Sequence, residues 1–260
     1  MDEPFLSIIT INLNNVDGLK RTIDSVRLQD YQDYEFLVID GASTDGSLAM
    51  IEEQARLFSQ RVSEPDSGIF NAMNKGIKLA KGRYLLFLNS GDAFNGQAAL
   101  STFIENPEFG GDIVYGDYKF DQGEKVYADH LTPLYFVRTS LPHQSTLFHK
   151  KVFEQMGGYD ESYRIVADRA FYVRCLLSGD FAFKHIKQAL VHFDLKGVSN
   201  RPDHKAKKLE EDQKMFKEFY GPFYEDYIQM LALERQLSAT RTRTIPGILK
   251  RIKRKFWRNG

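Results

Sequence analysis

Thr10, Asn12, Asp40, Asp66 and Asp92 each stand at or near the end of a short apolar run, and Asp168 opens a later stretch with helical spacing. Amides, hydroxyls and carboxylates delivered in this way can hold a phosphate-bound metal, orient a sugar hydroxyl or accept a proton. The reason is geometric: in open α/β sheets the carboxyl ends of the strands border the ligand crevice. The sharpest case is YLLFLNSGD, Tyr84 to Asp92. Its apolar run is too short for a core helix and, between Gly82 and Ser90-Gly91, reads as a strand buried on both faces. The character then changes abruptly to Asn89, Ser90, Gly91 and Asp92. A polar turn after a core strand would look the same in isolation. Polar groups at the ends of four successive strands are a stronger signal.

The elements that must position these residues alternate. Phe5 to Leu13 reads as a first strand, followed by a helix with Leu19, Ile23 and Val26 on one face and an Asn or Asp cap in front. Tyr34 to Ile39 is a second strand. Ser43, Thr44 and Asp45 then open a helix expected to turn Leu48, Ile51 and Ala55 inward. A third short strand, Arg61 to Ser63, precedes a helix carrying Ile69, Met73, Ile77 and Ala80. The βαβαβαβ order predicts a parallel sheet with helices on both sides. Beyond Asp92 the pattern is mixed. Strands are expected at Asp112 to Phe120, Lys125 to Ala128, Ser145 to Phe148, Phe181 to Ile186 and Leu190 to Leu195. Helices are expected at Lys151 to Met156, Asp168 to Leu177 and from Asp203 to about Ala239, with a break at Gly221-Pro222.

Composition narrows the classes. Among 260 residues, 42% hydrophobic and 27% charged is ordinary for a globular protein. The single Cys175 leaves no internal disulfide and no cysteine-based zinc site. The acidic start MDEPFLSIIT does not read as a signal peptide, and no run approaches the length of a membrane span. There is no GxGxxG after the first strand and no GxxxxGK[ST], which argues against a dinucleotide cofactor and a P-loop. Eight of the 35 basic residues and none of the 35 acids lie from Ser238 onward, which leaves a net −8 before that point.

The set SIITINLNN, VIDGASTDGS, EPDSGIFNAMNKGIKLAKGRYLLFLNSGD and GGYDESYRIVADRAFYVR, in this order and spacing, resembles the family 2 glycosyltransferases. These are inverting enzymes of the GT-A fold that use nucleotide-sugar donors. The resemblance covers about residues 5 to 200 and, within the family, is greatest to bacterial enzymes of surface-polysaccharide (colanic-acid-like) assembly. It implies an α/β GT-A fold in which a Rossmann-like nucleotide-binding half, residues 1–95, continues into a mixed-sheet acceptor and catalytic-base half, residues 96–202. A helical extension, residues 203–260, would follow.

Residue by residue, the resemblance implies donor-site roles for Thr10, Asn12, Asp40, Asp66, Asn74, Lys75 and Asn89, with Asp40 orienting the uracil ring. It implies that Asp92 binds a divalent metal, manganese or magnesium, on the diphosphate, with His192 as a second candidate ligand. Asp168 would be the catalytic base, its alternative being a plain helix cap. His143 and Gln144 would line the acceptor side. Tyr115, Tyr118 and Tyr127 could stack on sugars, although tyrosines in strands more often serve packing.

Three departures stand out. LNSGD replaces the commoner LDADD, so Asn89 and Gly91 stand where two carboxylates usually do, and metal binding should be weaker. Met73 occupies a position often held by arginine, and Ala167 replaces the first acid of a Glu-Asp pair. The expected function is inverting transfer of a sugar from a UDP-linked donor to a saccharide acceptor on a lipid carrier. The alternative is a degenerate domain that binds the nucleotide sugar or acts as a scaffold. The tail places Ile245, Ile248, Leu249, Ile252 and Phe256 at helical spacing among lysines and arginines, with Trp257 beside them. That pattern predicts a basic amphipathic helix on an anionic membrane, hence a cytoplasmic protein peripheral on the inner face of the cell membrane. Nucleic acid is not expected as a partner.

Overall fold

In a computed structural model of the chain, residues 3–194 and 205–243 are described. The expected strand end at Leu195 and the basic helix from Ile245 lie outside these residues. Two compact units form, Met1–Asp212 and Gln213–Gly260.

The first part of the chain alternates as its pattern requires. β1 (Leu6–Asn12), α1 (Val16–Arg27), β2 (Tyr34–Asp40), α2 (Ser47–Glu53), β3 (Gln60–Ser63), α3 (Ile69–Leu79) and β4 (Tyr84–Phe87) follow in order. All seven β1 residues and all four β4 residues are buried. That is the signature of strands covered on both faces. β1 pairs in parallel with β2 and with β4, and β2 in parallel with β3. α1 is capped by Asn15, whose side chain accepts from the Gly18 N–H, and it buries Leu19, Ile23 and Val26.

After β4 come β5 (Ala93–Phe94), α4 (Ala99–Ile104), β6 (Ile113–Phe120), β7 (Gly123–Lys125), α5 (Pro133–Arg138), β8 (Thr146–His149), α6 (Lys150–Met156), α7 (Ala167–Ser178) and β9 (Phe183–His192). The described strands make one mixed sheet in the order β3-β2-β1-β4-β8-β6-β9-β5, with β7 beside β6. β8 runs antiparallel to both β4 and β6, and thus joins the parallel half to the rest. α8 (Lys205–Tyr220) and α9 (Phe223–Arg243) are separated at Gly221-Pro222, where Gly221 takes φ +54°. In the second unit Phe216 stacks on Tyr220 and Tyr224.

The structure corrects four sequence expectations. α2 starts at Ser47, because Ser43 is drawn back to Asp40 through both its N–H (2.9 Å) and its hydroxyl (2.6 Å). Leu48 is consequently 42% exposed, while Ile51 alone of the expected trio is buried. The strand expected at Lys125 to Ala128 ends at Lys125, since the Tyr127 N–H turns to the Asp117 carboxylate (2.8 Å). The two strands expected between Phe181 and Leu195 are one, β9. Its register against β6 moves from Gly116↔Ile186 to Asp117↔Ala189, so Lys187 and Gln188 form a bulge. The short β5, α4 and α5 carry too few residues for a periodic signal.

The turn into β4 is built around a buried carboxylate. Glu35 accepts from the Ser7 hydroxyl (2.6 Å) and from the N–H groups of Lys81 and Gly82, and Ser7 Oγ also accepts from Gly82 N (2.8 Å). A Cβ on Gly82 would stand 2.5 Å from the Ser7 nitrogen and 2.7 Å from the Leu6 carbonyl carbon, both main-chain atoms. Main chain inside a paired sheet cannot move aside, so Gly82→Ala should destabilise the protein by about 2–3 kcal/mol, the upper range for overpacking. Urea unfolding checks this, and a midpoint equal to that of the parent would show that the turn adapts.

Candidate active site

A cleft of about 910 Å³ opens at the carboxyl ends of β1, β3 and β4 and is closed on its other side by α7, the β7 segment and the start of α8. Asn12, Asp66, Asn89, Asp92, His143, Gln144 and Asp168 all line it. Residues separated by more than 150 positions in the chain are thus brought to one site, as the sequence reading expected. Thr10, Asp40, Asn74, Lys75 and His192 are not among the lining residues.

The five residues outside the lining have other partners. Thr10 is fully buried, and its hydroxyl donates to the Leu88 carbonyl (2.7 Å), tying the end of β4 to β1. Asp40 is fully buried and accepts four hydrogen bonds: from Asn12 Nδ2 (2.8 Å), the Ser43 N–H and hydroxyl, and the Ser63 hydroxyl (2.7 Å). Both oxygens are committed, so a nucleotide base has no open acceptor there; the group that reaches the cleft is Asn12. Asn74 clamps the loop after α6, exchanging bonds with the Tyr159 backbone (2.8 and 2.9 Å) and donating to Glu161 (2.8 Å). Lys75 donates to the Pro65 carbonyl and pairs with Glu64, both at 2.9 Å. His192 lies outside the cleft lining, with Arg21 Nη2 at 2.8 Å from Nδ1 and Asp121 at 3.4 Å from Nε2. Met73 is fully buried, which accounts for a side chain with no polar end at that position.

The segment bearing Asn89 and Asp92 is held from below. The Thr22 hydroxyl accepts from the Gly91 N–H (3.0 Å) and lies 2.7 Å from the Asp92 carbonyl, and the Ser90 N–H donates to Ile11 O (3.1 Å). Gly91 takes φ +107°, a conformation that L side chains rarely adopt, and a Cβ there would stand 2.8 Å from Asp194 Oδ2. The Asp194 carboxylate therefore occupies the space of the acid that Gly91 replaces. Asp194, whose N–H donates to Asp92 Oδ1 (2.9 Å), lines the cleft and was not singled out by the sequence reading. Its available signal was an acid directly following the last apolar strand.

Two carboxylates side by side suit magnesium or manganese, which one or two protein carboxylates can hold while substrate phosphates and water fill the remaining positions. Among the described residues no cluster of three His, Cys, Asp or Glu side chains forms. Asp92 is 4% exposed, and burial pushes its carboxyl up to about 7, against the pull of the Asp194 N–H and the charges of His143 and Arg21. A cation bound there would oppose that rise.

Asp168 sits in the opposite environment. Burial alone would raise its pKa, but the His143 hydrogen bond and charge, with the Arg169 N–H and guanidinium, outweigh it and hold the carboxyl below the ordinary range. His143 Nδ1 lies 3.3 Å from Asp168 Oδ2, and His143 Nε2 lies 3.0 Å from Asn89 Nδ2. With the amide in this orientation a neutral ring accepts at Nε2 and carries its hydrogen on Nδ1, toward Asp168. Asn89 thus has a task that an aspartate could not perform with the same tautomer. Asp168 is not the cap residue of α7, which is Val166, but its Oδ1 takes the N–H of Arg169 in the first turn (2.7 Å). The N–H groups of Arg164, Ile165 and Val166 go to the buried Glu211 of α8 (3.0, 2.9 and 3.3 Å), and Arg169 pairs with Asp212 (2.8 Å). Of the three tyrosines, Tyr115 is fully buried and stacks on His185, whereas Tyr118 and Tyr127 line the cleft.

Asp40 generates a stability prediction. Asp40→Ala removes one acceptor group from four donors and should cost about 3 kcal/mol, since buried bonds to a charged group lose the most on truncation. Burial opposes ionisation of Asp40, but its bonds from Ser43, Asn12 and Ser63 hold the folded pKa below the ordinary value. Its contribution is therefore complete above the unfolded pKa of about 3.9 and fades as pH falls through the lower folded value. Urea titrations should show a gap between parent and variant at neutral pH that narrows in acid; a gap independent of pH would contradict the assignment.

The comparisons with known proteins agree with this geometry. The family model described as "Glycosyl transferase family 2" matches residues 7–169. An uncharacterized glycosyltransferase of Mycobacterium tuberculosis (strain H37Rv) is 34% identical over 214 residues, 78% of this chain and 80% of that protein. A PGL/p-HBAD biosynthesis glycosyltransferase of Mycobacterium bovis (strain BCG) is 30% identical over 212 residues, 77% of this chain and 81% of that one. The crystal structure of S. aureus TarS 1-349 in complex with UDP-GlcNAc superposes with a TM-score of 0.65 at 19% identity, covering 92% of this chain and 74% of that one. The chain spans 43% of the longer TarS structure. The α/β fold is therefore that of the GT-A glycosyltransferases, and the chain belongs to glycosyl transferase family 2.

Proposed function

We propose that this glycosyltransferase moves a hexosyl or N-acetylhexosaminyl group with inversion from a UDP-linked donor to a hydroxyl of a lipid-linked saccharide, in assembly of a bacterial surface glycan. The observation that carries the reading is Asp168: a cleft carboxylate kept ionised and aimed by His143. The name of the mycobacterial relative and the UDP-GlcNAc held by TarS support the polymer class and the donor class.

In this reading the acceptor hydroxyl gives its proton to Asp168 while its oxygen attacks the anomeric carbon from the face opposite the diphosphate. The bond from that carbon to the diphosphate oxygen breaks, and UDP departs. One carboxylate is sufficient, because direct displacement forms no glycosyl-enzyme intermediate. The Nδ1–H of His143 fixes which Asp168 oxygen faces the hydroxyl, and Asn89 fixes the histidine tautomer. Asp92 and Asp194 would hold a divalent cation, which supplies positive charge to the leaving diphosphate. Asn12 presents a buried side-chain oxygen with no partner in the protein at the edge of the nucleotide side, and its amide is oriented by Asp40. Tyr118 and Tyr127 offer ring faces to the acceptor.

Asp168→Asn should lower kcat at least about a hundredfold, the minimum typical of a lost general base, while UDP affinity stays at the parent value. The parent rate should hold level through neutral pH and fall only when pH drops below the ordinary carboxylate range, since Asp168 is held ionised. Steady-state kinetics of UDP release reads both, and a variant that turns over like the parent assigns the base elsewhere. Asp92→Asn should weaken UDP binding in the presence of manganese about tenfold or more and leave metal-free binding little changed, by analogy with lost charge-assisted contacts. Calorimetry with and without manganese decides it; equal affinities for the two proteins under both conditions would remove Asp92 from the metal site.

A further inference from the structure

The wall of the cleft that carries Asp168 also carries a group of cations. Lys125 at the end of β7, Arg169 on α7 and Lys208 on α8 line it together. The Lys125 ammonium donates to the Thr139 hydroxyl (3.0 Å) and lies 4.9 Å above the Tyr127 ring. Neither Lys125 nor Lys208 forms an ion pair with a described residue. Asp212 pairs with Arg169 (2.8 Å), and Asp168 is engaged by His143. Burial lowers the pKa of Lys125, and the charges of Arg169 and Lys208 lower it further. Withdrawing an ammonium from water next to two like charges is costly unless an anion completes the arrangement.

The location selects the anion's owner. Asn12, Asp66, Asp92 and Asp194, the residues suited to a nucleotide and its metal, come from the ends of β1, β3, β4 and β9. The three cations come from the opposite elements, with the Tyr127 ring directly under one of them. Building on the glycosyltransferase reading above, we propose that the acceptor carries an anionic oxyacid group, a phosphate or a carboxylate, and that Lys125, Arg169 and Lys208 hold it beside Asp168. A saccharide seated against this wall would then present its hydroxyl to Asp168 with its charged group on the lysines. The acceptor class is therefore a phosphorylated or uronic saccharide rather than a neutral one.

The test titrates full-length protein, saturated with UDP and held at constant ionic strength, with inorganic phosphate and separately with glucuronate. The parent should bind at least one of them, and the stronger identifies the group. Lys125→Gln and Lys208→Gln should each weaken that binding about tenfold, the loss of one charge-assisted bond, with UDP affinity and melting temperature unchanged. Three results would overturn the proposal: no binding of either anion by the parent, equal binding by parent and variants, or a parallel loss of UDP affinity in the variants. The last would assign the cations to the donor's diphosphate. Failure of the parent to bind UDP would instead count against the donor reading, and the same titrations on nucleotide-free protein would still decide the anion subsite.

Discussion

Two threonine hydroxyls hold the end of the central strand in the position on which the site depends. β4 is buried on both faces, so the polar backbone that follows it must be satisfied by the protein. Thr10 takes the Leu88 carbonyl, and Thr22 takes the Gly91 N–H from the first helix. These bonds convert an abrupt change of sequence, from YLLFL to NSGD, into a rigid ledge rather than a flexible loop. Asn89 and Asp92 extend from that ledge into the cleft, one toward His143 and the other toward Asp194. The positive φ of Gly91 makes the ledge sharp enough for Asp194 to enter beside it.

From this ledge the cleft separates two carboxylates by environment. Asp92 is driven toward its neutral form by burial, which outweighs the Asp194 N–H and the charges of His143 and Arg21. Asp168 is surrounded by a histidine, a backbone N–H and a guanidinium and is kept charged. The same residue type is thus held toward its neutral form at one wall and in its charged form at the other. The division resembles what acid–base enzymes achieve generally by setting paired groups in unlike surroundings.

The wall that bears Asp168 depends on a part of the chain beyond the family match, which ends at residue 169. Glu211 accepts three successive N–H groups at the entrance to α7, and Asp212 holds Arg169. These donors belong to the turn that leads into α7, whose cap residue Val166 has no polar side chain. The start of α8 therefore fixes the entrance to α7 and with it the position of Asp168. It also adds Lys207 and Lys208 to the lining.

The sequence by itself determined the alternating half of the fold and the location of the site. Strands buried on both faces are continuous apolar runs, and the polar residues that end them stand out without any knowledge of their neighbours. It also determined that Asp92 and Asp168 belong together, through motifs whose order and spacing are specific. What each polar residue does was decided only by the tertiary structure. Asp40 and Asp92 look alike as acids closing a strand, yet four donors gather on Asp40 from three segments and remove it from the cleft. The roles of Asp194 and Glu211 have no local signature, since their partners lie about 100 and 45 residues away and the pairing exists only after β9 and α8 have packed. Periodicity records burial along one element. Whether a buried or half-buried carboxylate serves the protein or a ligand depends on how many donors the rest of the chain brings to it, and that number appears only when the chain is folded.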